Sequence, residues 1–198
     1  AAQELAFSWL RARFNDVGLG GADQLRQRMA WALYNFIVLG QNGQALGQLE
    51  YYNMMQRQAL GPFADLIRAV TLNPSMGAFL NNNENTAGRP NENYARELMQ
   101  LFSIGLWELN EDGSRRRDYI GNPIPTYTNF HITELAKVMT GFNWGGTNEF
   151  FDYKYRPDLP MTIWETHHER GEKFLVNGGY LPANMNPAKD VRTAIENL

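Results

Sequence analysis

The chain has 198 residues, no cysteine, and 18 basic against 21 acidic side chains, for a net charge of −3. That length suits one domain, or at most two small ones, with a genuine hydrophobic core. The lack of cysteine excludes a disulfide scaffold, an iron–sulfur cluster, a thiol nucleophile and a thiolate-bound zinc. A pI near 5.7 argues against general nucleic-acid binding, which needs a basic footprint.

The expected elements begin with a short helix near 5–15, stopped by Gly18, Gly20 and Gly21. Asp23 then reads as an N-cap, and Leu25, Met29, Ala32, Leu33 and Phe36 recur at helical spacing as an inward face. The run from Met29 to Leu39 is the longest apolar stretch, with Asn35 its only clear polar residue. It is about half the roughly 20 residues a bilayer requires, so it predicts a central core helix and no transmembrane segment. Further helices are expected over 46–60, 63–72 and 74–80, the last opened by Asn73-Pro74. A polar loop rich in asparagine precedes a helix over 91–104, with Tyr94, Leu98, Leu101 and Phe102 as its apolar stripe and Glu92, Asn93, Arg96 and Gln100 opposite.

The pattern then changes. Residues 106–109 read as a strand, Asn110-Glu111-Asp112-Gly113 and Gly121-Asn122-Pro123 as turns, and 124–127 as a returning strand. A helix capped by Thr128 or Asn129 follows to residue 140, with Ile132, Leu135, Ala136 and Met139 inward. Residues 142–186 show no long element. Asn186-Pro187 opens a last helix that is still amphipathic at Leu198. No internal repeat stands out. The fold class predicted is mainly α: one multi-helix domain over 1–198 with a small β-hairpin excursion near 106–127. The first residues, Ala1-Ala2-Gln3-Glu4, carry no initiator Met, basic region or apolar region of a leader, so either a leader has been removed or, as the unfinished last helix suggests, the chain is part of a longer one.

Several segments together resemble a known family. They are Leu25-Arg26-Gln27-Arg28-Met29-Ala30, Ala69-Val70-Thr71-Leu72-Asn73-Pro74-Ser75-Met76, and Arg89-Pro90-Asn91-Glu92-Asn93-Tyr94-Ala95-Arg96-Glu97-Leu98-Met99-Gln100-Leu101-Phe102. Pro123-Ile124-Pro125-Thr126-Tyr127-Thr128 and Thr140-Gly141-Phe142 extend the match. Over roughly residues 22–178 the chain resembles the bacterial family filed as domain of unknown function 1800. The resemblance implies a mostly helical, usually longer protein, often exported and often found beside a sulfatase-like exported family. It implies periplasmic or secreted localisation and supplies no activity. The family usually carries an acidic residue near the position of His131, and it continues into a further apolar helical segment beyond the last helix.

Chemistry could reside in a few clusters. Glu92 and Arg96 stand i, i+4 in the favourable acid-before-base order, and Glu97 sits at the edge of the apolar stripe; a structural ion-pair network competes with a binding, metal-ligating or general-base role. His167 and His168 lie in Glu165-Thr166-His167-His168-Glu169-Arg170-Gly171-Glu172-Lys173, with ligand types suited to zinc or iron. Adjacent residues rarely point the same way, however, and no His-Glu-x-x-His signature is present. The resemblance includes His168, Gly171 and Lys173. Asn110 to Ser114 fails the calcium-loop spacing, and Arg115-Arg116-Arg117 reads as a solvated turn. The ring-rich stretch with Trp144, Tyr153 and Tyr155 either completes the core or forms a binding surface. The expectation is an exported envelope protein that binds a protein partner, such as a sulfatase-like exported protein, or a glycan. The alternatives are a metal-dependent hydrolase using a divalent ion on a His/Glu site, and a structural module of a larger protein.

Overall fold

End signals and apolar spacing set most of the helices. Asn73 and Asn186 each precede a proline, and each side chain caps its helix: Asn73 Oδ1 accepts from Ser75 N and Met76 N, Asn186 Oδ1 from Ala188 N and Lys189 N. Both satisfy N–H groups that the first helical turn cannot. A computed structural model describes Glu4, Ser8, Arg11 and residues 23–40, 45–152 and 154–198. The expected first helix lies outside the described residues apart from Ser8 and Arg11, which are helical. The chain packs into two compact units, residues 1–83 with 143–162, and residues 84–142 with 163–198.

The first unit contains α1 (Gln24–Phe36), α2 (Ala45–Gln58), α3 (Phe63–Thr71) and α4 (Pro74–Phe79). Helix α1 does not bury the face its spacing predicts. Leu25, Met29 and Phe36 are exposed, whereas Gln27 and Ala30 are buried. The reason is the partner helix: α2 receives α1 through Gln56 Nε2, which donates to Gln27 Oε1 at 2.5 Å, and Arg26 Nη1 donates to Gln56 O. Asp23 makes no side-chain cap; its φ is 60° and it pairs with Arg26 at 2.9 Å. Tyr51 and Tyr52 of α2 are buried and meet Tyr34 edge-on. The irregular segment 143–162 folds back onto these helices. Met161 N donates to Leu72 O at 2.7 Å, and a Cβ on Gly77 would lie 2.5 Å from Met161 Sδ, so a larger residue there would require the Met161 side chain to move.

The second unit contains α5 (Asn93–Gln100), α6 (Asn129–Val138) and α7 (Pro187–Asn197). Two-residue strands β1 (Phe142–Asn143), β2 (Thr162–Ile163), β3 (Lys173–Phe174) and β4 (Tyr180–Leu181) punctuate the later segments. β3 and β4 pair antiparallel, Lys173 opposite Leu181 and Phe174 opposite Tyr180. Helix α5 is shorter than its apolar stripe suggests. It stops at Gln100, where Ser103 Oγ donates back to Leu98 O and Gly105 N to Met99 O, with Gly105 at φ 71°. These bonds consume the last carbonyls and end the helix, which leaves Leu101 half exposed. Helix α6 matches its expected face, with Ile132, Leu135, Ala136 and Met139 all buried.

The β excursion is more than a hairpin. Arg116 N donates to Glu108 O, Glu108 N to Ile124 O, and Ile124 N to Arg116 O, each at 2.8–3.0 Å. Three extended segments therefore close into a ring in which each pairs with both others. Residues 108, 116 and 124 recur at equal intervals, and the intervening turns match: Asn110 N donates to Ser114 O before Gly113, and Asp118 N to Asn122 O before Gly121. This short repeat went unrecognised in the sequence because only an Asn/Asp and a glycine are shared by its two turns.

Candidate functional site

The deepest cluster of ionisable groups forms around His168. A Cβ on Gly141 would sit 2.7 Å from Trp164 O and 3.2 Å from the His168 Cβ, and Gly141 adopts φ 86°, so a glycine lets residues 164–168 lie directly against the end of α6. His168 Nδ1 then donates to Thr140 O at 2.9 Å and Nε2 to Asp190 Oδ2 at 3.0 Å. Both ring nitrogens face acceptors. Lys173 Nζ donates to the same Asp190 oxygen at 2.7 Å, to Glu169 O at 2.6 Å and to Gly171 O at 3.1 Å, so its three donors are all used. The side chains of His168 and Asp190 are fully buried and that of Lys173 is 1% exposed. Burial raises the Asp190 carboxyl, but hydrogen bonds and positive charge from His168 and Lys173 outweigh it and hold the group below its ordinary range.

The two helix ends explain the placing of these charges. Asp190 lies in the first turn of α7, where a carboxylate meets the positive end of the helix dipole. Thr140 lies just beyond α6, so the His168 proton is offered to the negative end. Thr140 also donates its hydroxyl to Lys137 O and accepts from Glu169 N, both at 2.7 Å. Glu134 accepts from Phe174 N at 3.0 Å and pairs with Lys137, tying β3 to α6. The His168, Lys173 and Asp190 side chains are sealed from solvent and join three segments. They do not present a reactive atom to a ligand.

The polar face of α5 is different in kind. Arg96 Nη2 meets Glu92 Oε2 at 3.1 Å, both side chains about two-fifths exposed. Thr133 Oγ1 of α6 donates to Glu92 Oε1 at 2.8 Å. Thr133 stands one turn from Phe130, which puts the two side chains side by side. Phe130 is 54% exposed, and its ring lies 6.1 Å from that of Phe174, which lies 5.5 Å from Tyr180. Tyr180 OH donates to Glu172 Oε2 at 3.0 Å. A continuous strip results: an ion pair at one end, three partly exposed rings in a row, and a carboxylate at the other end. Alternation in β3 produces it, since Lys173 turns inward to the buried cluster and Phe174 outward to the strip. Beside Arg96, Glu97 Oε2 and the hydroxyl of Tyr127 are buried atoms without a hydrogen-bond partner. Burial pushes the Tyr127 phenol up from its ordinary value; the Glu97 charge adds to this and that of Arg96 opposes it.

The residues singled out in the sequence thus fall into separate places. Glu92, Arg96 and Glu97 share the α5 surface. Lys173 and His168 belong to the buried cluster. His167 lies in a 3-10 turn with Nδ1 3.0 Å from Thr166 Oγ1. Trp144 is 7% exposed and stacks edge-on against Tyr155 at 5.2 Å, and Tyr155 OH bonds Ser75 Oγ at 2.7 Å, so both help pack the first unit. Tyr153 lies outside the described residues. No group of three or more His, Asp or Glu side chains placed to hold a metal ion occurs among the described residues. Sequence reasoning missed Asp190, Thr133, Tyr127, Phe130, Phe174 and Tyr180. Asp190 could have been noticed as a first-turn acid after Asn186-Pro187; nothing local marks the others.

Fold and site define a mainly α-helical protein with a buried ionic latch and an exposed polar and aromatic strip. The chain belongs to the DUF1800 family: the model of that family, described as a protein of unknown function, matches residues 2–198. No curated protein and no solved structure matches the chain. No helix among the described residues is long and apolar enough to cross a membrane.

Proposed function

We propose that this chain is a binding module of an exported envelope protein and that it takes a glycan along the strip of its second unit. One observation carries the reading: the exposed rings of Phe130, Phe174 and Tyr180 run without a break, through Thr133, into the Glu92–Arg96 pair. Large apolar rings left at the surface in a row mark an interaction site, and rings bearing or flanked by polar groups suit a ligand that is apolar on one face and hydroxylated at its edge. A protein partner would use the same rings as anchors. The hydrolase alternative, in which His167 or His168 acts with Glu92 or Glu97, has less support, since His168 is enclosed and Glu92 is held by Arg96 and Thr133. The test is binding of the purified chain to peptidoglycan sacculi and to neutral oligosaccharides such as chitohexaose and cellohexaose. Phe174→Ala retains the backbone bond to Glu134, so it removes the central ring alone. The variant is expected to bind at least about tenfold more weakly. Absence of binding by the unmodified chain to every probe refutes the glycan reading.

A further inference from the structure

The first unit holds a cleft of its own, about 230 Å³ in volume. Helical spacing puts Glu50, Met54, Arg57 and Gln58 on one face of α2, and that face forms one wall. The junction of α3 and α4 supplies Leu72 and Asn73, and the segment folded back onto these helices supplies Pro157 and Pro160. Met54 is 5% exposed, and the two prolines bring no N–H, so much of the lining is apolar. Charge stands on either side of Met54: Glu50 and Arg57 are two turns apart, roughly 10 Å along the helix axis.

These two charges are open to a ligand. The Arg57 side chain makes no ion pair or hydrogen bond among the described residues. Glu50 receives only a long contact, 3.4 Å from Asn53 Nδ2. Asp158 also lines the cleft, but Arg156 already neutralises it through bonds of 2.9 and 2.6 Å. Asn73 is 7% exposed, and its Oδ1 is committed to the cap of α4 at 2.9 and 3.2 Å. That leaves its Nδ2 a donor without a partner among the described residues. A simple anion would suit Arg57 but face Glu50, and a diamine would suit Glu50 but face Arg57. An apolar molecule would leave both charges and Asn73 Nδ2 unmatched. A zwitterion with a polar backbone meets every group: ammonium to Glu50, carboxylate to Arg57, a carbonyl to Asn73 Nδ2, and an amide to Gln58, which both donates and accepts.

We propose that this cleft binds a short peptide by its two free ends, with a tripeptide of small apolar residues as the best fit. An extended chain covers roughly 3.3–3.6 Å per residue, so three residues span the distance between the two charges. The volume lies below the roughly 300–1,000 Å³ of drug-sized sites, which sets the side chains small. The site is separate from the glycan strip and does not rest on it.

The experiment measures binding of Ala-Ala-Ala, its N-acetyl form and its C-terminal amide by titration calorimetry, to the unmodified chain, Glu50→Gln and Arg57→Gln. Each blocked peptide is expected to bind the unmodified chain about fivefold or more weakly than the free one. Acetylation should cost nothing further in Glu50→Gln, and amidation nothing further in Arg57→Gln. Both variants should keep their melting temperature, since Arg57 has no partner to lose and glutamine at position 50 still accepts from Asn53. Should either melt lower, the blocked peptides on the unmodified chain carry the test. Equal affinity for free and blocked peptides overturns the proposal, as does a penalty for a block that persists in its matching variant. No binding of the free tripeptide at millimolar concentration overturns it as well, and leaves the glycan strip untouched.

Discussion

Replacing Asp190 with alanine tests the buried cluster most directly. The substitution removes one acceptor from Lys173 and one from His168, at 2.7 and 3.0 Å, in a place where the three side chains are at most 1% exposed. Lys173 keeps the carbonyls of Glu169 and Gly171, and His168 keeps that of Thr140, but their carboxylate counter-charge is gone. Removing one member of a buried ionic group costs about 3–5 kcal/mol, against a usual total of roughly 5–15 kcal/mol for a domain. For a protein of this size that lowers the melting temperature by roughly 10 °C. Equilibrium urea unfolding followed by tryptophan fluorescence and far-UV circular dichroism measures the loss. The double variant Lys173→Met with Asp190→Leu should cost less than Asp190→Ala alone, because it leaves one fewer cation uncompensated. A loss below about 1 kcal/mol for Asp190→Ala would falsify the claim that this cluster holds the second unit together.

Other predictions concern stability. The Asp190 carboxyl is held below its ordinary value in the folded chain, so its contribution is present above the unfolded carboxylate value of about 3.9 and disappears as pH falls through the folded value. The urea midpoint should drop on acidification below about pH 4 more steeply in the unmodified chain than in Asp190→Asn; equal slopes would exclude Asp190 as the cause. His131→Glu places an acid where the His131 ring now accepts from Thr128 N at the positive end of α6. It should stabilise by about 0.3–1 kcal/mol, read as a small rise in melting temperature, and a fall would show that the imidazole contributes more than its cap. Asn186→Ala removes both cap bonds of α7 and should cost about 1 kcal/mol, seen in the same urea titration. Gly141→Ala forces a Cβ to within 2.7 Å of Trp164 O at φ 86°; a loss of about 1–3 kcal/mol is expected, and a neutral result would mean that segment 164–168 can shift away freely.

Local signals read in the sequence survive wherever the cause is local. Asn73-Pro74 and Asn186-Pro187 start helices because a side chain and a missing N–H act within one turn. The inward face of α6 follows from spacing alone, and the family is legible from short stretches such as 89–102. The mainly α character and the β excursion were legible for the same reason. Tertiary packing decided the remainder. Periodicity showed that α1 has an apolar face but not that Gln56 would turn Gln27 inward and leave Leu25 exposed. The β excursion closed into a three-sided ring because each backbone N–H found its acceptor on a different segment, which no hydrophobic pattern encodes. Glu92, Arg96 and Glu97 could be placed on one helix from spacing, whereas Thr133, Phe130 and Phe174 joined them from α6 and β3. His168 and Lys173 stood out by type, yet their meaning came from Asp190 on another helix and from the room left by Gly141. Length, charge and the lack of cysteine limit the chemistry to His, carboxylate and aromatic groups. Only the folded chain could separate those groups into a sealed latch and an open surface, because burial is a property of what packs on a residue and not of the residue itself.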